Sequence, residues 1–333
     1  MSIIHACADE LSVLIATHNR AAVLHQTLIH LTETEQGGIR WGIVVIDNNS
    51  TDETAEVIDR FRDRLPLQHL FESAPGKNHA LNRALADAKL GELIAFTDDD
   101  VQPAPDWLHA MVNAARRWPD HSVFGGRIRV VLPDDAPTWA RRPDLKRMMY
   151  GLHDRGEEET LYPRGQVFPC GANYWIRREL VASGRRFDAS IGPRPKRRYM
   201  GSETSFMHGL IRAGHDIVHI PSAVVGHCIQ ADALTPQYVR QRAWRRGKSS
   251  PHATGQLAHA ELSARHPVIW RAVRVLSLAR WAFRYLLANL SWSSSARVAG
   301  SVSPMMGMSR DLESLRLRAK SGAQMRELRE AGP

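Results

Sequence analysis

Cysteine is nearly missing from this chain: Cys7, Cys170 and Cys228 are the only three in 333 residues. They are too few and too scattered for a disulfide framework or a Cys-rich zinc site, and a reducing compartment is the simplest reading. Long apolar runs are missing too. The best candidate, Val268 to Leu290, is interrupted by Arg271, Arg274, Arg280 and Arg284. One arginine at the centre of a span costs about 2.5–3.5 kcal/mol on insertion scales, so a transmembrane helix is not expected. Residues 1–10 show no basic cluster followed by an apolar stretch, so no secretory leader is expected either. No G-x-G-x-x-G follows any candidate strand and no G-x-x-x-x-G-K-[ST] occurs. A dinucleotide-binding Rossmann domain and a P-loop are therefore both disfavoured.

Acidic charge is scarce in the second half. Residues 1–138 carry 12 basic and 20 acidic side chains, whereas residues 139–333 carry 32 and 15. The net charges are −8 and +17, and the asymmetry points to an anionic partner facing the second half. The acidic first half and the lack of any recognisable binding module argue against nucleic acid as that partner. With 43% apolar and 24% charged residues the chain is an ordinary globular one, long enough to bury a large core.

What is present is an alternation of short β-branched runs and amphipathic segments. Leu11–Ala16, Gly42–Ile46, Leu67–Phe71 and Leu93–Thr97 read as buried strands. Between them, Val23, Leu24, Thr27, Leu28 and Leu31 recur on one helical face. So do Thr54, Val57, Ile58, Phe61 and Leu65, and then Ala80, Leu81, Ala84, Leu85 and Ala88. Ser50-Thr-Asp-Glu53 has the form of a capping box for the second helix. Strands spaced by helices make βαβ units, hence an α/β fold with a mostly parallel, doubly wound sheet. Further on, Ser122–Val131 and Phe168–Arg177 read as strands, Ser202–Arg212 as a helix, and Ile217–Ile220 with Ala223–His227 as short strands about Pro221.

In such sheets ligands bind beyond the carboxyl ends of the strands. Those ends carry Thr17-His18-Asn19, Asp47-Asn48-Asn49 and Asp98-Asp99-Asp100. In extended chain, residues two apart share a face, so Asp98 and Asp100 point together and Asp99 points away. Two carboxylates on one face at a strand end suit Mg²⁺ or Mn²⁺, which takes one or two carboxylates together with water and phosphate oxygens.

The motifs now fall into register: Thr17-His18-Asn19-Arg20, Asp47-Asn48-Asn49-Ser50, Gly76-Lys77-Asn78-His79-Ala80-Leu81-Asn82, Asp98-Asp99-Asp100, Gly171-Ala172-Asn173-Tyr174, Phe187-Asp188, Gly201-Ser202-Glu203-Thr204 and Gly226-His227. Over about residues 10–230 they resemble the family 2 glycosyltransferases of GT-A fold. The resemblance implies an inverting enzyme that moves a sugar from a nucleotide-sugar donor to an acceptor hydroxyl, in cell-surface polysaccharide or glycolipid synthesis. It implies that Thr17 and Asp47 contact nucleobase and ribose, that Lys77 lies near the nucleotide, and that Asp98 and Asp100 form the D-x-D motif. Asn19, Arg20, Asn49 and Asp99 stand in the same motifs as donor-binding candidates, and Asn173 is a candidate for the acceptor side. Glu203 matches the acidic position that serves as general base, and His227 a histidine that completes metal coordination in some relatives. The family usually has Asp in a Glu-Asp pair where this chain has Glu203-Thr204. A sugar-phosphate nucleotidyltransferase would instead carry a Gly-rich basic loop after the first strand, which Thr17-His18-Asn19-Arg20 is not.

Residues 1–232 are expected to form the catalytic domain, with a nucleotide-binding half at about 10–130 and an acceptor half at about 131–232. Residues 233–333 read as a basic helical extension. Arg194-Pro195-Lys196-Arg197-Arg198, the run Arg240 to Lys248, and the Trp-rich, Arg-rich stretch Val268 to Trp292 suit an anionic headgroup region. The four arginines of that last stretch do not share one helical face, which weakens its reading as an amphipathic helix. A lipid-linked or saccharide acceptor is expected, and a cytoplasmic enzyme attached peripherally to the inner face of the membrane.

Overall fold

The structure is a computed structural model and describes residues 10–163, 168–192, 200–253, 267–291 and 293–330. The run Arg194 to Arg198 lies outside them. The chain divides into two compact units. One comprises Met1–Pro133, Lys146–Arg197 and Ser202–Ile229, and the other Asp134–Leu145, Arg198–Gly201 and Gln230–Pro333.

The first unit is built on one mixed sheet. Its opening elements are β1 (Leu11–Thr17), α1 (Ala21–Thr32), β2 (Trp41–Asp47), α2 (Thr54–Asp59), β3 (Leu67–Phe71), α3 (Lys77–Asp87) and β4 (Leu93–Thr97). Next come β5 (Val101–Pro103), α4 (Trp107–Arg117), β6 (Val123–Val131), α5 (Pro143–Met149, of which Lys146–Met149 fall in this unit), β7 (Thr160–Leu161) and β8 (Tyr174–Arg177). Then follow α6 (Glu179–Ala182), α7 (Ser202–Arg212) and β9 (Ile217–Cys228). The strand order is β3-β2-β1-β4-β8-β6-β9-β5, with β7 pairing on β9. The first four strands in that order run parallel, while β8 is antiparallel to both its neighbours.

Strands buried on both faces explain why β1, β2 and β4 read as unbroken apolar runs. Val13, Ile15 and Val45 meet Leu24, Leu28, Val57, Trp107 and Met111 on one side. Leu14, Val44 and Phe96 meet Ala80, Leu81, Leu85, Phe206 and Leu210 on the other.

Four local expectations are corrected. The capping box does not form: the Ser50 hydroxyl accepts the Asn19 N–H at 2.9 Å, and it is Asp52 that accepts from the N–H and hydroxyl of Thr54 at the helix start. α2 ends at Asp59, yet Phe61 and Leu65 remain buried in the turns beyond it. Of the stretch Phe168–Arg177 only Tyr174–Arg177 is strand, because a turn closed by Asn173 N–H to Cys170 carbonyl precedes it. The two strands about Pro221 are one strand, β9, whose pairing with β6 slips between Gly126/Ile220 and Arg127/Val224.

Beneath β6 and β9 lies a buried polar cluster. His153 Nε2 is 2.6 Å from the Tyr162 hydroxyl, which stands 3.5 Å from His219 Nδ1. Burial, then the nearby His219 and Arg155 charges, push His153 down to about 4, and burial lowers His219 as well. A histidine held neutral in the fold costs stability as pH falls through its unfolded value near 6.5, because only the unfolded chain takes up the proton. Urea unfolding should show wild type losing about 2 kcal/mol more than His153→Gln between pH 7.5 and pH 5, the amount this shift supplies by linkage. Equal losses in the two proteins would remove His153 from the account.

The second unit contains α8 (Pro236–Ala253), α9 (Pro267–Asn289) and α10 (Ser294–Glu330). No helix of the described residues is long and apolar enough to cross a membrane.

Candidate active site

The loops after β1, β2 and β4 form one rim, and they hold each other in place. Asn19 and Asn49 both adopt left-handed backbone, φ 51° and 63°, which asparagine tolerates better than most residues. Asn19 Oδ1 accepts the Thr51 N–H at 2.7 Å, tying the first loop to the second. Asp47, buried, accepts the Ser50 N–H at 2.8 Å. Asn48 ties in the next segment: it donates to the carbonyls of Glu72 and Ala74 and accepts the Gly76 N–H at 2.7 Å. Gly76 sits at φ 134°, a conformation side-chain-bearing residues rarely adopt, and it delivers Lys77 to the start of α3.

The three aspartates divide the work. Asp98 pairs with Lys77 Nζ at 2.5 Å, and Lys77 also reaches Glu203 Oε1 at 3.3 Å. Burial works against the Lys77 charge, but Asp98 and Glu203 outweigh it and hold the ammonium firmly protonated. Asp99 points the other way and is buried against Thr17 Oγ1 at 2.7 Å and Arg20 Nη1 at 2.5 Å. Burial pushes its carboxyl up to about 6, against the pull of Arg20. Arg20 also spans to Asp100 Oδ2 at 2.9 Å. Burial alone would raise the Asp100 carboxyl; the adjacent His227 and Arg20 reverse that and hold it well below the usual range.

His227 comes from the far end of β9, paired with β5 just after the aspartates. Its Nδ1 lies 2.6 Å from the Tyr150 carbonyl, which leaves Nε2 facing Asp100 Oδ1 at 3.3 Å. Oδ1 is buried with no hydrogen-bond partner. Ligand atoms of Asp98, Asp100 and His227 all lie within 4.8 Å of one another. Two carboxylates and an imidazole whose other nitrogen is engaged by a carbonyl make a donor set for a divalent cation. Asp98, Asp100 and His227 would hold such a cation, and the Asp100 Oδ1, buried without a hydrogen bond, has a lone pair to offer it.

Glu203 opens α7, where a carboxylate is favoured by the helix N-terminus. Its side chain lies over Gly171: a Cβ there would come 2.5 Å from Oε1. Tyr174 is buried beside it, stacked on Phe96 with ring centroids 4.8 Å apart, and its hydroxyl has no hydrogen-bond partner. Burial, then the charges of Glu203 and Asp98, push this phenol far above its usual range.

Lys77, Asp98, Asp100, Glu203 and His227 thus converge, with Arg20 behind them. Three expected ligand contacts do not reach the rim. Asp99, expected on the donor, is turned inward onto Thr17 and Arg20, where it positions Arg20. Thr17 is buried on Asp99, so it supports the site and does not face it. Asn173 is wholly buried: it accepts from Trp107 Nε1 at 3.0 Å and donates to the carbonyls of Arg127 and Ala223, each at 2.8 Å. Its place is between strands, not on the acceptor side. Asn173→Ala should lower the urea midpoint by the equivalent of about 3 kcal/mol, since it strands buried polar groups worth about 1–3 kcal/mol each. Metal affinity of the folded protein should be unchanged, and a loss there would restore Asn173 to the site.

Asn78 and Asn82 stand in the Gly76–Asn82 motif, but no role is read for them from sequence. Asn78 donates to the carbonyls of Asp188 and Ile191 and accepts from Ser202 Oγ; Asn82 pairs twice with the Phe187 backbone. Their spacing of four inside one motif puts them on one face of α3, which is the only sequence signal they carry.

The family model described as glycosyl transferase family 2 matches residues 12–184, more than half of the chain. The chain belongs to this family. Among curated relatives, the succinoglycan biosynthesis protein ExoM of Rhizobium meliloti is 26% identical over 66% of this chain and 67% of its own length. The probable glycosyltransferase YdaM of Bacillus subtilis is 27% identical over 72% of this chain and 55% of its own length. The beta-monoglucosyldiacylglycerol synthase of Nostoc is 32% identical over 52% of this chain and only 36% of its own length. Among solved structures, a mannosyltransferase of Pyrobaculum calidifontis, in complex with GDP-Man and Mn²⁺, superposes with TM-score 0.55 at 20% identity, covering 92% of this chain and 87% of that one. That likeness establishes the GT-A fold of this glycosyltransferase.

Proposed function

We propose that this family 2 glycosyltransferase transfers a sugar with inversion from a nucleotide-sugar to an acceptor hydroxyl, with Glu203 as general base. The observation that carries the reading is the convergence of the Asp98/Asp100/His227 donor set with Glu203, linked through Lys77. Asp98, Asp100 and His227 would hold Mg²⁺ or Mn²⁺, which supplies electrostatic stabilisation for the departing nucleoside diphosphate. Arg20 neutralises part of the aspartate charge and fixes Asp100. Lys77, kept protonated, brings a cation to the donor side while it orients Glu203. The Glu203 carboxylate accepts the acceptor hydroxyl proton as that oxygen attacks the anomeric carbon. The exposed rim residues Asn19 and Asn49, together with Asp47, fit a nucleoside, and the relatives named for succinoglycan and glycolipid synthesis favour a saccharide or lipid-linked acceptor. A screen of common nucleotide-sugars for hydrolysis with Mn²⁺ tests this. Turnover of one donor, abolished by EDTA, is expected; no nucleotide release from any donor would overturn it.

A further inference from the structure

The α9 helix presents an apolar face that nothing among the described residues covers. At about 100° per residue, Val275, Val268, Leu286, Ala279, Ala272, Leu290, Phe283, Leu276, Ile269 and Leu287 fall within an arc of about 120° without one polar side chain. All ten are exposed, Val268 at 78%, Leu276 at 70% and Leu290 at 75%. The large residues of this face sum to roughly 1,000 Å² of open surface, beyond the ~300–600 Å² of the largest patch on a typical soluble monomer.

The orientation of that face is fixed from behind. Arg274 Nη1 meets the fully buried Asp311 of α10 at 2.5 Å, and Ser277 Oγ donates to the same carboxylate at 2.6 Å. A Cβ at Gly307 of α10 would come 2.3 Å from the Trp281 ring, so this ring packs directly on the α10 backbone. Arg274 therefore belongs to the inner side; the four arginines do not share one face, as expected, but their spread leaves an unbroken apolar arc, so the expectation that it weakens the amphipathic reading is corrected. Three of them, Arg271 on one flank and Arg280 and Arg284 on the other, are exposed and border the apolar arc. No acidic residue occurs between Glu261 and Asp311.

We infer that α9 lies in the plane of an anionic lipid surface, its apolar arc in the headgroup–acyl boundary and its three arginines among the phosphates. An apolar strip edged by cations on both sides is the chemistry of an interfacial helix, and the 23 residues give it a contact line about 34 Å long. A second protein copy carrying the same face would bring arginine against arginine. The lipid surface is thus favoured by charge. The inference stands on this face alone and holds whether or not the sugar chemistry above is correct.

Flotation of the full chain with phosphatidylcholine vesicles, with and without phosphatidylglycerol, tests it. Binding to the anionic vesicles should be at least ten-fold tighter and should weaken with salt. Leu276→Glu with Phe283→Glu should lose vesicle binding at least ten-fold with an unchanged thermal melt. Leu286→Ser with Leu290→Ser is the gentler second variant. Arg271→Gln, Arg280→Gln and Arg284→Gln together should erase the preference for anionic lipid. Vesicle binding unaffected by both apolar-face variants would overturn the inference. So would no binding by wild type, or a wild-type dimer that these variants split into monomers.

Discussion

Asp100→Ala is expected to cut sugar transfer by about three orders of magnitude, the scale of about 4 kcal/mol of electrostatic stabilisation, while the protein still folds. Asp100 is a rim residue with one oxygen on Arg20 and the other without a hydrogen bond. Removing it leaves Arg20 its Asp99 partner, so no buried cation is stranded. Mn²⁺ titration followed by electron paramagnetic resonance should show loss of tight binding in parallel with activity. Asp100→Asn keeps the shape and should be nearly as inactive, which separates charge from packing. Undiminished transfer by Asp100→Ala, or by wild type in excess EDTA, would falsify the assignment.

Glu203→Gln comes second, with a loss of about 10²–10⁴-fold in kcat and little change in donor KM. Glutamine keeps the shape and can still accept from Lys77, but it cannot take a proton at neutral pH. The fold should not notice, since α7 is anchored by Phe206, Met207 and Leu210 and not by the carboxylate. Glu203→Asp asks whether the shorter acid usual in the family can reach the same point; its partial activity should exceed that of the glutamine variant. A near-wild-type rate in Glu203→Gln would move the base elsewhere. A loss of donor binding instead would make Glu203 a donor-positioning group.

Much of the fold was legible because its signals are local. β1, β2 and β4 are buried on both faces, and the alternation with α1 and α3 needs no long-range knowledge. The two-residue period also placed Asp98 and Asp100 together and sent Asp99 the other way. What met Asp99 was not legible, because Arg20 and Thr17 lie some 80 positions earlier and only the parallel pairing of β1 with β4 brings them across. Asn173 was misplaced for a related reason. Its motif marks it as special, but a polar residue can be special by knitting strands as well as by touching ligand, and sequence carries no burial. The Ser50 capping box failed because a loop 31 residues away competes for the same hydroxyl. The second asparagine of α3 shows the reverse case: its backbone clamp is invisible until Phe187 folds over it.

The slip in the β6–β9 ladder has a consequence for what evolution or a designer can change. Pro221, Ser222 and Ala223 have no partners on β6, whereas Ile220 pairs with Gly126 and Val224 with Arg127. Three is odd, so the strand resumes with its parity inverted: even-numbered Ile220 shares a face with odd-numbered Val225 and His227. What holds the imidazole in place is therefore the partner it takes on β6. If a shortened insert leaves Val224 opposite Arg127, His227 keeps its face. If the rest of β9 instead slides by one residue along β6, Gly226 and Cys228 take that face and His227 turns to the opposite side of the sheet. A slide of two residues restores the face but carries the imidazole about 7 Å along the strand, away from the aspartates.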